Sequence, residues 1–128
     1  MKHLLVLVIT ALLLSSCTGS PPTLIEYYEG SWAGVGTADD GTTVDLWLEV
    51  VYAEGQYFNY TFYVNDHSQP TLTGLFAGFP DGSLAFRYDD NEQRYITFSG
   101  IIQGDTLTGA LSHTGLRPSV YEAVMERE

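Results

Sequence analysis

Hydrophobic and polar residues alternate along the chain from Gly30 to its end, and short turn sequences separate the alternating segments. Between residues 43 and 52, for example, Val44 and Leu46 fall on one face, and Asp45 falls on the other. Alternation with a period of two is typical of β-strands that have one buried face. Eight such strands are predicted, so the expected fold is all-β: a single eight-stranded antiparallel meander β-barrel over residues 30–128.

Glycines on the predicted inner faces favour a barrel over a flat sandwich. They are Gly74, Gly78, Gly100 and Gly109. A glycine inside a strand commonly marks a bend at a barrel corner or a place where a neighbouring aromatic ring needs room. Closure would also remove exposed strand edges. The last segment, 118–128, is left open between a closing strand and a short helix, because Pro118 is compatible with the start of either.

The first 16 residues have the organisation of an export signal. Met1, Lys2 and His3 form a short basic start, and an apolar run follows from Leu4 to Leu14. That run is too short to cross a bilayer, which takes about 20 apolar residues. We therefore predict a cleaved signal peptide over residues 1–16.

The residues at the predicted cleavage point, Leu14-Ser15-Ser16-Cys17, resemble the lipobox of bacterial lipoproteins. The resemblance implies that Cys17 receives a diacylglycerol and a further acyl chain such as palmitate, and becomes the new N-terminus. Thr18 stands where that family's inner-membrane retention signal has Asp. The implied location is the cell envelope, on the outer membrane if the organism has one. Residues 17–29 are then predicted to be the lipidated cysteine and a flexible linker.

The start of the first predicted strand, Gly30-Ser31-Trp32, resembles the Gly-x-Trp motif of the lipocalin and fatty-acid-binding superfamily. The resemblance implies a lipocalin-like barrel in which Trp32 has a structural role, packing across the closed end beneath an arginine from near the last strand. Arg117 and Arg127 are both candidates for that arginine. The family's other signature motifs are not visible in this chain.

Charge and composition exclude several functions. The chain has 16 acidic and 5 basic residues, a net charge of −11, and its only lysine is Lys2 in the predicted signal peptide. A surface this negative repels nucleic acid. His67 and His113 are isolated, and the acidic clusters resemble solvated turns, so no metal or cofactor is predicted. No nucleophile motif is present, so we do not expect an enzyme.

Binding is the predicted activity. If the apolar faces point inward, the barrel interior is lined by aromatic side chains and holds a small hydrophobic ligand. The predicted ligand-binding residues are Tyr60, Phe62, Phe86, Tyr88 and Phe98. The alternative is a barrel filled by its own side chains that acts as a protein-interaction module, as a protease inhibitor or an envelope assembly or structural lipoprotein. Partners are then a small apolar molecule or an envelope protein, and the domain is expected to be a monomer.

Overall fold

The computed structural model describes residues 21–91 and 93–128 of the chain. One helix, α1 (Pro21–Tyr28), precedes eight strands. The strands are β1 (Gly30–Thr37), β2 (Thr43–Glu54), β3 (Tyr57–Val64), β4 (Leu72–Ala77), β5 (Ser83–Asp89), β6 (Tyr95–Gln103), β7 (Thr106–His113) and β8 (Val120–Arg127). The open question about the last segment is settled in favour of a strand.

All eight strands belong to one antiparallel sheet with the order β4-β3-β2-β1-β8-β7-β6-β5. Pairing of β1 with β8, in which Trp32 lies opposite Arg127, brings the two ends of the meander together. The strands β4 and β5 lie side by side but are not joined by a hydrogen-bonded ladder. The predicted eight-stranded antiparallel barrel is therefore confirmed, and it is closed except for this β4–β5 seam.

The inward glycines have the two roles expected from the sequence. A Cβ on Gly109 would lie 2.2 Å from the carbonyl oxygen of Ser99, so the strands β6 and β7 bend too closely together there for any side chain. A Cβ on Gly78 would lie 2.7 Å from the ring of Tyr28, so this glycine leaves room for an aromatic side chain.

The structure contradicts the predicted flexible linker over residues 21–28, which form α1. Leu24 and Tyr28 are four residues apart, so they lie on the same face of the helix, and both are buried against the barrel. Burial of this face stabilises a helix that is too short to persist alone. The predicted signal peptide, Cys17 and linker residues 18–20 lie outside the described residues.

Candidate functional site

Four of the five predicted ligand-binding residues lie together in the barrel interior and contact one another. The rings of Tyr60 and Phe86 stack with their centroids 4.0 Å apart. Phe98 lies 5.3 Å from Phe62 and 5.3 Å from Phe86 by the same measure. None of the four side chains is more than 6% exposed. These rings occupy the space in which a ligand between them would have to lie.

Tyr88, the fifth of these residues, is separate from the other four. It is 47% exposed at the open end of the barrel, where β5 ends. The alternation of residue types in β5 predicts that Tyr88 points inward, but β5 has no ladder with β4, so one flank of the Tyr88 side chain is uncovered. With Leu72 and Ile96 it borders an open depression of about 660 Å³.

Aromatic stacking closes the inner side of the seam. Gly74 of β4 lies opposite Tyr60 of β3, and a Cβ on Gly74 would lie 3.2 Å from the Tyr60 ring. The missing side chain lets Tyr60 extend past β4 and stack on Phe86 of β5. Burial raises the pKa of the Tyr60 hydroxyl above its ordinary value. The ring contact therefore joins the two sides where the backbone ladder is missing.

Tyr28 of α1 forms hydrogen bonds to the β4–β5 connection at the closed end of the barrel. Its hydroxyl accepts a hydrogen bond from the Phe79 N–H at 2.9 Å and donates to the Ser83 carbonyl at 2.6 Å. Burial raises the pKa of this hydroxyl, which keeps its proton available for donation. The helix thus fixes the β4–β5 connection through one side chain.

Arg127 is the arginine that covers Trp32. Its guanidinium carbon lies 4.2 Å from the centre of the fully buried Trp32 ring system, within the range of a cation–π contact. The same group donates to the carbonyl oxygens of Tyr27, at 2.7 Å, and of Glu29, near the C-terminal end of α1. It also forms an ion pair with Asp105 at 3.0 Å. Of the two candidate arginines, Arg127 takes this position, and it connects β8, α1 and β1.

The outer surface carries a row of four exposed side chains, three of them apolar, on the adjacent strands β1, β8, β7 and β6. Val35 pairs with Val124, Val124 with Thr108, and Thr108 with Ile101. We call these four residues the outer row. Beside it lies an open groove of about 840 Å³ that is bordered by Val124, Thr108, Ile101 and the small residues of the neighbouring positions. An exposed apolar patch of this kind is typical of interaction surfaces.

A second outer patch, on β2 to β4, contains Val51, Tyr57 and Leu75, all exposed.

Elsewhere on β2 and β3, the loop residue His67 covers two aromatic side chains. The His67 ring stacks on Trp47 at 4.8 Å and contacts the Tyr63 ring edge-on at 4.5 Å. The sequence gives no sign of this contact, because it depends on how the loop after β3 folds back.

Among residues 21–91 and 93–128, no group of three or more His, Cys, Asp or Glu side chains is arranged to hold a metal ion. Within the same residues, no helix has the length and apolarity needed to span a membrane. No protein-family model matches the chain, and neither the curated proteins nor the solved structures include a match.

Proposed function

We propose that this chain is a lipid-anchored protein of the cell envelope whose barrel has a filled interior and acts through its outer surface as a protein-interaction module. The observation that supports the filled interior is the mutual packing of Tyr60, Phe62, Phe86 and Phe98. Interaction with proteins is further supported by the exposed outer row. The attachment to the membrane rests on the lipobox resemblance at Cys17.

A carrier of a small hydrophobic molecule is the second candidate. The depression beside Tyr88 favours it, because Leu72 and Ile96 add apolar surface at the open end. A ligand there would lie at the end of the seam, outside the ring cluster. Of the five predicted ligand-binding residues, only Tyr88 would then contact the ligand, together with its neighbours Leu72 and Ile96.

A probe-binding assay separates the two candidates. The full chain with Cys17→Ser is titrated with a neutral naphthylamine dye whose fluorescence rises in apolar surroundings, and native mass spectra are recorded for co-purified molecules. The filled interior predicts no stoichiometric binding. Saturable binding to one site that Tyr88→Ala removes would favour the carrier instead. Phe98→Ala is the positive control, because it opens an apolar cavity inside the same barrel.

Metabolic labelling with an alkyne fatty acid tests the anchor. The wild-type chain should be labelled and should sediment with membranes, and Cys17→Ser should lose both properties. Two or more acyl chains are needed for stable attachment, since each buried methylene contributes roughly 0.8 kcal/mol. Thr18→Ser keeps the cysteine and serves as the matched control. Labelling that survives Cys17→Ser would refute attachment at this residue.

A further inference from the structure

The geometry of the outer row indicates what kind of partner fits it. The row crosses β1, β8, β7 and β6 and continues to Ser83 of β5, which lies opposite Ile101. Val124 is 53% exposed and Ile101 is 47% exposed. Because neighbouring strands are about 4.8 Å apart, the four residues of the outer row together with Ser83 extend over about 19 Å along the barrel surface. A helix of roughly 13 residues has that length.

The groove beside the row has room for such a helix. Its floor includes the backbone at Gly100 and Gly109, and the outward residues next to them, Ala85, Ser99 and Ala110, are small. Large side chains at Ala85, Ser99 and Ala110 would fill the depression. The outer row therefore forms one wall of a shallow trough that runs across the strands.

Charge decides which helix is complementary. Glu122 and Glu126 lie two residues to either side of Val124 on β8, so both point to the outer face beside the row. Asp45 lies opposite Val35 at the end of the row. In the described chain, no arginine forms an ion pair with these three carboxylates. A second copy of the protein would bring the same acidic groups together, in a chain with a net charge of −11.

We propose that the outer row and its groove bind an amphipathic helix of a partner protein whose apolar stripe is flanked by Lys or Arg. This inference rests on the proposed interaction function, and it adds the face and the chemistry of the partner. The β2–β4 patch is a poorer site of the same kind, because the residue between its two apolar side chains is Asn59, whose amide is more polar than Thr108 at the corresponding place in the outer row.

Designed peptides test the proposal. The probe is a 14-residue helix with a leucine stripe flanked by lysines, compared with a shuffled sequence of equal composition and with a glutamate version. Each is titrated into the ¹⁵N-labelled full chain with Cys17→Ser, and amide shifts are followed. We expect saturable shifts confined to β1 and to β5–β8 with the lysine helix only.

Two matched double variants locate the site. Val124→Thr with Ile101→Thr should weaken binding of the lysine helix about tenfold, because both exposed apolar contacts are lost. Val51→Thr with Leu75→Thr changes equally exposed residues on the β2–β4 patch and should leave the affinity within twofold. Glu122→Gln should lower the salt dependence of binding, whereas Glu54→Gln should not. Thermal melts establish that all four variants are folded.

Equal weakening by the two double variants would overturn the proposal, because apolar contacts would then not be localised to the outer row. Equal binding of the shuffled peptide would also overturn it, because composition and net charge alone would then explain the attraction. Failure of the lysine helix to bind at all would also overturn it. The proposed function fails by a different readout, saturable binding of the neutral dye to the wild-type chain that Tyr88→Ala removes, so the two failures are distinguishable.

Discussion

Replacement of Phe98 by alanine measures how completely the barrel interior is filled. Phe98 is 1% exposed, and its ring contacts those of Phe62 and Phe86. Truncation of a buried phenylalanine to alanine costs about 3–5 kcal/mol, which combines the lost transfer free energy with the cost of the cavity. The total stability of a domain is about 5–15 kcal/mol, so this loss is large but measurable.

Urea unfolding followed by tryptophan fluorescence and by circular dichroism is the assay, and coincident transitions establish that the unfolding is two-state. Leu75→Ala on the outer face is the control, with an expected loss below about 1 kcal/mol, because this side chain is 58% exposed. If Phe98→Ala leaves too little folded protein, Phe98→Leu creates a smaller cavity at the same place.

A small aromatic compound provides the second half of this test. An apolar cavity left by Phe98→Ala should bind benzene or indole and raise the stability of the variant, while the wild-type protein should be unaffected. A loss for Phe98→Ala no greater than that of the Leu75→Ala control would refute the reasoning. The interior would then be loosely packed, and the carrier function would regain support.

Three further predictions concern the elements that shape and close the barrel. Gly109→Ala should lower the free energy of unfolding by several kcal/mol, because the added Cβ meets the backbone of the adjacent strand. Gly74→Ala should lower it less in the same urea assay, because the added Cβ meets a tyrosine ring that can move. Burial lowers the pKa of His113, so the unfolded chain binds this proton more tightly and the free energy of unfolding should fall as pH drops below about 6.5. His113→Gln should flatten that dependence between about pH 7 and 5. Tyr28→Phe should cost roughly 1–3 kcal/mol and should accelerate amide exchange mainly in the β4–β5 connection, where uniform acceleration would contradict its assigned role.

Alternation of residue type was sufficient to predict the strands, because each face of a strand meets a different environment. Val44, Leu46 and Leu48 are buried as their spacing predicts, and Asp45 is exposed. The helix α1 was not predicted, since two prolines and a short length hide it. The four-residue spacing of Leu24 and Tyr28 was the one pattern that could have revealed it.

The seam could not be predicted from the sequence. The segments that form β4 and β5 alternate like the others, and nothing in them shows that their backbones remain unpaired. Tyr88 was placed inward on that pattern and is half-exposed for this reason. His67 is a similar case, because its stacking on Trp47 depends on a loop conformation and not on strand periodicity.

The bend of the barrel and the groove on its outer face depend on the same residues. Gly100 and Gly109 let β6 and β7 approach closely on the inside, and their backbone forms part of the floor of the groove on the outside. A side chain at either glycine would point inward and displace this backbone, so it would disturb the fold and the floor of the groove together. Val124 and Ile101 project from the rim and contribute little to the core, since both are about half-exposed. Substitutions in the outer row should consequently change the affinity for the partner helix and leave the stability of the fold nearly unchanged. Substitutions of the two glycines should change both the affinity and the stability.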